Sequence, residues 1–334
     1  MKKLVVQLAE KVLNGKRLDR ASALQLLTLP EPENYDLFYW ANRIRERFHG
    51  NAVHLCAIVS ARQGGCTEDC KFCAQSSHHR TAARPHPMLS AGEITKAAER
   101  ARGAGACCFG IVTSGRAGAT REKDLGVVFD AARALKARGG MCIGAALGEL
   151  DRKAAEALKS AGVIRYNHNL ETSARHFSNI CTTHTYDDRR RTVVAAKEAG
   201  LQVCCGGIFG MGETVEDRAD LALALQELEV DSVPLNFLNP IPGTPFAGME
   251  RLRPMEILRI IAVYRFLLPR QEIKVCGGRE VNLRDLQSWM FYAGASGTMI
   301  GNYLTTAGRP PQEDHQMLRD LNLVVRPARE GAGG

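Results

Sequence analysis

Apolar and polar positions follow two different periods along this chain. Up to residue 47, apolar residues recur at helical spacing: Leu4, Leu8 and Val12, then Ala23, Leu24, Leu26 and Leu27, then Leu37, Trp40, Ala41 and Ile44. That one-sided stripe marks amphipathic helices and predicts an N-terminal helical extension over 1–47. Beyond it, short β-rich runs at 53–59, 108–113, 141–147, 164–170, 202–209, 232–238, 272–276 and 297–300 alternate with helical patterns at 93–102, 123–138, 152–160, 189–198, 215–228, 255–268 and 283–292. Several helical patterns stop at glycine, as at Gly139-Gly140, Gly162 and Gly200, the residue that most easily takes the left-handed helix stop. Eight strands alternating with helices predict an α/β fold, a closed parallel (β/α)8 barrel of the TIM type over 48–325. An open doubly wound sheet is the alternative, and the tail over 326–334 is expected to be flexible.

In such a barrel, function lies at the carboxyl ends of the strands and in the loops that follow. The loop after the first predicted strand reads Cys66-Thr67-Glu68-Asp69-Cys70-Lys71-Phe72-Cys73. Three thiols spaced C-x3-C-x2-C converge on one small object, most simply a metal centre. A cubane iron–sulfur cluster takes four ligands. Three cysteines would therefore leave one iron open, as catalytic zinc sites keep an open position. Two other readings stay open: a Cys3His zinc site completed by His78 or His79, and buried, inert thiols.

Composition narrows the setting. The chain has 334 residues, 45% hydrophobic and 24% charged, ordinary for a globular protein. Its net charge of +8 is scattered, and the one tight basic run, Arg189-Arg190-Arg191, sits beside Asp187 and Asp188. That run reads as a solvated helix face, and with only 6% aromatics no basic–aromatic interleaving suggests nucleic acid. Gln7, Glu10 and Lys11 interrupt the first apolar residues before a signal sequence could form, and no run has membrane-spanning length. The expectation is a cytoplasmic protein with no membrane partner, in which eleven reduced cysteines mean metal or catalysis.

The other thiols gain order from the strands. Cys56, Cys108, Cys142, the pair Cys204-Cys205, and Cys276 fall on the first, second, third, fifth and seventh. Successive strand residues face opposite sides, so only one of Cys204 and Cys205 can point inward. Inward thiols from several strands would gather around one axis and could hold a second metal centre, although each alone is equally a small buried hydrophobe. Tyr166-Asn167-His168-Asn169-Leu170-Glu171 ends the fourth strand with alternating polar side chains, suited to a polar ligand or to an internal hydrogen-bond network. His168 reads as structural. The glycine-rich run from Gly206 to Gly212 permits either close backbone approach to a ligand or tight packing.

The C-x3-C-x2-C spacing, with an aromatic before the last cysteine, resembles the radical S-adenosylmethionine superfamily. Further strings make the likeness narrower: CTEDCKFCAQS, YNHNLET, CCGGIFGMGET, VPLNFL with PIPGTPF, CGGRE and NYLTTAGR, in that order between Asn51 and Arg309, resemble the biotin synthase family. The resemblance implies that Cys66, Cys70 and Cys73 bind a [4Fe–4S] cluster whose open iron takes S-adenosylmethionine. It places Phe72, Asn169, Glu171, Arg189 and Ile208 at that cofactor, and Asn167, Asn169, Asn236, Thr305 and Thr306 at dethiobiotin. The implied reaction inserts sulfur from a second cluster into dethiobiotin, with flavodoxin or ferredoxin as reductant and a homodimer as the assembly.

The departures from that family matter as well. Its well-known form holds a [2Fe–2S] cluster on three barrel cysteines and an arginine. Cys108 and Cys204 match two of those cysteines, but the third position reads Gly144, with Cys142 two residues earlier, and the arginine position reads Lys274. Cys56 and Cys276 stand where that form has serines, and Glu171 replaces an aspartate. The resemblance therefore leads to a different auxiliary cluster, of four-iron type, on some of Cys56, Cys108, Cys204 and Cys276, with Cys142 in reserve and [2Fe–2S] as the alternative. Cys204 and Cys276 are expected to act in the chemistry, whereas Cys107 and Cys205 have no assigned role. A sister radical enzyme, such as a hydrogenase maturase or a lyase, is the competing reading.

Overall fold

The computed structural model describes residues 2–116 and 122–327. Its barrel strands are β1 (Ala52–Arg62), β2 (Cys108–Thr113), β3 (Cys142–Ala146), β4 (Arg165–Asn167), β5 (Gln202–Cys204), β6 (Gly207–Phe209), β7 (Ser232–Phe237), β8 (Glu272–Val275) and β9 (Gly297–Met299). All pair in parallel, and β9 returns to β1 through His54↔Gly297, Leu55↔Thr298 and Cys56↔Met299. That last pairing closes the sheet and excludes the open doubly wound alternative. β5 and β6 are two halves of one stave, both paired to β7. The break falls at Gly206, where a Cβ would lie 2.0 Å from the Pro234 carbonyl oxygen, so only glycine allows the two backbones this close.

Helices α4 (Ala91–Gly103), α5 (Glu122–Arg138), α6 (Arg152–Ala161), α7 (Tyr186–Glu198), α8 (Val215–Glu227) and α9 (Pro254–Leu267) form the outer ring. Their starts follow from short-range chemistry: Ser90 with Glu93, Thr185 with Asp188 and Thr214 with Asp217 are capping boxes. The core is the apolar layer between strands and ring, for example Ile111, Ile143, Val203 and Val233 against Ala131, Leu158, Val193 and Leu225. Helices α1 (Lys2–Leu13), α2 (Arg20–Leu27) and α3 (Asn34–His49) extend this layer, α3 packing on α9 and α2 on α8.

The amino ends of the strands close on ions. Glu272 accepts from Arg165 at 2.9 Å and Arg326 at 2.6 Å, with His54 at 3.9 Å. Four of these buried or half-buried side chains therefore form the barrel floor.

Three expectations need correction. The pattern over 283–292 is not one helix. The chain makes α10 (Arg279–Leu283), a 3-10 turn, and α11 (Trp289–Tyr292), with Arg284 in the left-handed region at φ 51°. Buried Arg279, in a bidentate pair with Asp314, anchors this turn. The 164–170 run is strand only over β4, because its end lifts off to form the site. Finally, the end of the barrel region carries two elements the patterns did not show: α12 (Pro311–Asp320) is followed by β10 (Val324–Val325), which pairs with β1, and the Arg326 amide donates to the Val53 carbonyl at 2.8 Å. Residues 328–334 of the expected tail lie outside the described residues.

Candidate active site

The loop after β1 carries its thiols on a tightly bonded backbone. The Cys66 amide donates to the Gln75 carbonyl at 3.1 Å, Ser77 N to Cys66 O at 2.7 Å, and Cys73 N to Cys70 O at 2.9 Å. The segment 180–184 braces it from outside. Lys71 N donates to Ile180 O at 2.9 Å, and the Asp69 carboxylate accepts from Thr182 N at 2.9 Å, Thr182 Oγ1 at 2.5 Å and Thr183 N at 3.2 Å. Glu68 accepts from Thr183 Oγ1 at 2.8 Å and from His184 Nδ1 at 2.5 Å. The two acidic residues inside the motif therefore act as clamps.

Cys66, Cys70 and Cys73 border a cavity of about 220 Å³, together with His168, Glu171 and Arg189. They do not gather within 4.8 Å of one another, as donors to a single ion do, and neither His78 nor His79 joins two of them within that distance. The Nε2 atoms of those histidines instead meet backbone carbonyls, Thr67 at 2.9 Å and Cys70 at 3.1 Å. This geometry does not support the Cys3His zinc reading. Burial raises the Cys66 thiol and pushes Cys73 to about 11, while the hydrogen bond with Cys181 raises Cys70. A metal group seated here must displace protons.

Phe72, Cys73, Asn167, Asn169 and Glu171 also line a second, deeper cavity of about 360 Å³. Cys56, Cys108, Cys204 and Cys276 all line the deeper cavity, with Arg165 and Lys274. Closure aligns them: Cys56 pairs in register with Cys108, and Cys108 with Cys142. The Cys142 sulfur touches Cys108 at 2.8 Å but does not border the cavity, whereas Gly144 does. Lys274 Nζ donates to Cys204 Sγ at 3.3 Å. Burial opposes the Lys274 charge, but the Cys204 and Cys56 sulfurs outweigh it and hold the ammonium's pKa above its ordinary value. A hydrogen bond from Cys276 draws the Cys56 thiol below its ordinary range. Cys205 is buried in the strand–helix core, and Cys107 donates to the Leu55 carbonyl at 3.1 Å.

The polar residues of the fourth stave stand between the two thiol groups. Glu171 has φ 69°, unusual for a residue with a side chain, and its carbonyl accepts from Ile208 N at 2.8 Å. Gly207 makes this possible, since a Cβ there would lie 2.4 Å from the Glu171 oxygen. Burial raises the Glu171 carboxyl against the pull of Arg189. Arg189 donates to the Asn169 carbonyl at 2.8 Å and lies 3.6 Å from Glu171, while its buried Nε has no partner among the described residues. Asn236 accepts from Gly277 N at 2.9 Å and donates to Gly207 O at 3.1 Å. Ile208, Thr305 and Thr306 line the deeper cavity as well.

Sequence reasoning missed the brace at Cys181, Thr182, Thr183 and His184, although a Cys and a His three positions apart were visible. It also missed Arg165, a cation opening an otherwise buried strand.

Two family models match the chain. The Radical SAM superfamily matches residues 61–225, and the Biotin and Thiamin Synthesis associated domain matches 234–324. Barrel, thiol loop and these matches together define a radical S-adenosylmethionine enzyme. Methylornithine synthase has the same fold, with a TM-score of 0.82 over 97% of this chain and 98% of that one at 20% identity. A maturase of the [FeFe]-hydrogenase has a TM-score of 0.84 over 97% of this chain and 76% of its own, at 16% identity. The sequence itself is much nearer to the biotin synthases of Geobacter sulfurreducens, 54% identical over 96% of this chain and 97% of theirs, and of Trichlorobacter lovleyi, 51% identical over 95% of each. The chain belongs to the biotin synthase family, and its likeness to the maturase is one of fold.

Proposed function

We infer that this chain inserts sulfur into dethiobiotin to form biotin. One observation carries the reading: two adjoining cavities, one bordered by the three loop thiols and the other by four strand thiols, share Asn167 and Asn169 in their linings, and Asn236 lines the second. When bound, a [4Fe–4S] cluster with S-adenosylmethionine supplies the radical that removes hydrogen from dethiobiotin, and an auxiliary cluster supplies the sulfur.

The residues' tasks follow from their chemistry. Cys66, Cys70 and Cys73 would hold the first cluster. The unpartnered Nε of Arg189 supports a role for its planar cation against the methionine carboxylate. Phe72 lies at the seam between the cavities and would pack against the adenine, while Ile208, Asn169 and Glu171 would position the rest of the cofactor. A ureido ring presents both N–H and C=O groups, which the side-chain amides of Asn167 and Asn236 can answer from both sides. Thr305 and Thr306 would meet the carboxylate tail. Alanine, valine and isoleucine side chains in the lining would help shield a reactive carbon centre from water once substrate and cofactor fill the cavity.

For the auxiliary group we favour a four-iron cluster on Cys56, Cys108, Cys204 and Cys276. All four line the cavity, Gly144 offers no donor, and Lys274 stands beside Cys204 as a compensating cation. A flavodoxin or ferredoxin donor, a cytoplasmic location and a homodimer complete the reading. No helix among the described residues is long and apolar enough to cross a membrane.

The test is iron and acid-labile sulfide per chain after anaerobic reconstitution, with biotin formed from dethiobiotin. Wild type should hold about eight irons, and Cys66/Cys70/Cys73→Ala about four. About six falling to about two would restore a [2Fe–2S] site, and about four falling to none would leave no sulfur-giving group and overturn the function.

A further inference from the structure

Cys181 takes no part in the chemistry described above. It lies behind Cys70, packed with Phe177, Ile180, Met211 and Leu238, and it does not border the cavity that the loop thiols share. Yet its sulfur is 3.7 Å from Cys70 Sγ and 3.2 Å from His184 Nδ1. We propose that Cys70, Cys181 and His184 form a mononuclear site for a soft divalent cation of the zinc class, filled when the loop carries no iron–sulfur cluster.

Geometry separates this trio from the cluster trio. Two thiolates at tetrahedral positions on one zinc, each bonded at about 2.3 Å, stand about 3.8 Å apart, and a thiolate and an imidazole stand about 3.5 Å apart. The Cys70–Cys181 and Cys181–His184 separations lie close to those values. All three donors fall within 4.8 Å of one another and all three residues are buried, whereas Cys66, Cys70 and Cys73 do not converge in this way. Charge points the same way. Glu68 Oε2 is 2.5 Å from His184 Nδ1 and Asp69 Oδ1 is 3.1 Å from Cys181 Sγ, so two carboxylates flank the donors and favour a cation among them. Hydrogen bonds to Thr182 and Thr183 hold these groups in place before any ion arrives.

Cys70 belongs to both sets, so the ion and the cluster exclude each other. Binding leaves both sulfurs as thiolates on the metal and releases the proton that Cys70 carries. An ion in this site keeps Cys70 as a protected thiolate and withholds it from cluster assembly. The loop brace thus doubles as a metal site that competes with cluster loading.

Cobalt(II) is the probe, added anaerobically to the full, iron-free chain carrying Cys204→Ala and Cys276→Ala to thin out the barrel thiols. The expected result is one ion per chain, with a thiolate-to-cobalt charge-transfer band and the intense visible bands of a tetrahedral centre. Zinc(II) should displace it and slow iron uptake by the loop. Cys181→Ala and His184→Asn should each weaken cobalt binding by at least about tenfold, while Cys66→Ala/Cys73→Ala should retain it. Two separate variants, each checked by circular dichroism, keep a folding defect from passing as a lost ligand. Bands that survive Cys181→Ala and His184→Asn but vanish in Cys66→Ala/Cys73→Ala would put the ion on the cluster thiols and overturn the proposal. A spectrum without charge transfer would overturn it as well.

Discussion

The two groups of thiols reach adjoining cavities by opposite routes. Cys66, Cys70 and Cys73 come from eight consecutive residues, held by the backbone of a single loop and by the clamp on 180–184. Cys56, Cys108, Cys204 and Cys276 stand on or beside four different strands and meet only because β9 closes on β1. A local site depends on a few hydrogen bonds, whereas a site on strand walls depends on the whole barrel. Damage to the first should therefore stay local, and damage beneath the second should be felt as lost stability.

The largest expected effect is at the loop. Cys70→Ala should abolish biotin formation and remove the loop's share of iron, while about four barrel irons and the thermal midpoint persist. Loss of barrel iron in the same variant would break the independence of the two groups.

Next come the strand thiols. Cys276→Ala and Cys56→Ala should each remove the auxiliary iron, taking about eight irons to about four, with the loop cluster's spectrum intact. Cys142→Ala should leave the count unchanged, because its sulfur does not border the cavity. An unchanged iron count and spectrum in the first two variants would refute the ligand assignment.

The support of the barrel site is tested at Glu272. Glu272→Gln leaves Arg165 and Arg326 without their buried counter-charge and should cost about 3–5 kcal/mol in denaturant unfolding. Burial alone would raise this carboxyl, but His54, Arg165, Lys274 and Arg326 outweigh it and hold it near 2 rather than the ordinary 4.5. A depressed folded-state pKa means stability that is complete above 4.5 and lost as pH falls toward 2. Wild type should show that acid slope, and Glu272→Gln should lack this contribution to it.

The smallest effect should come from the clamp. Asp69→Asn keeps the shape but removes the charge that Thr182 and Thr183 bond to. We expect a loss of about 1–3 kcal/mol in loop stability and about 10–100-fold faster iron loss to a chelator from the loop alone. Equal loss from the barrel would erase the contrast between the two sites.

The fold was largely legible. Strand and helix periods located all eight staves, and capping signals such as Ser90 with Glu93 were present at the helix starts. The helix expected over 283–292 failed because its apolar spacing says nothing of the Arg279–Asp314 pair that turns the chain there. β10 was invisible because two residues become a strand only when β1 accepts them. The loop thiols were readable from spacing, but Cys181 and His184 lie more than a hundred positions away, and only folding brings them to Cys70.

By itself the sequence determined the alternation of strands and helices, the C-x3-C-x2-C loop and the polar end of the fourth stave. Each of these rests on residues close together in the chain, where periodicity and bonded spacing act directly. Only the tertiary structure decided that four strand thiols face one cavity with Lys274 beside them, that Cys142 falls outside it, and that Cys70 has a second thiol behind it. Those facts depend on the register and closure of the sheet, which set distances between residues that no local pattern relates.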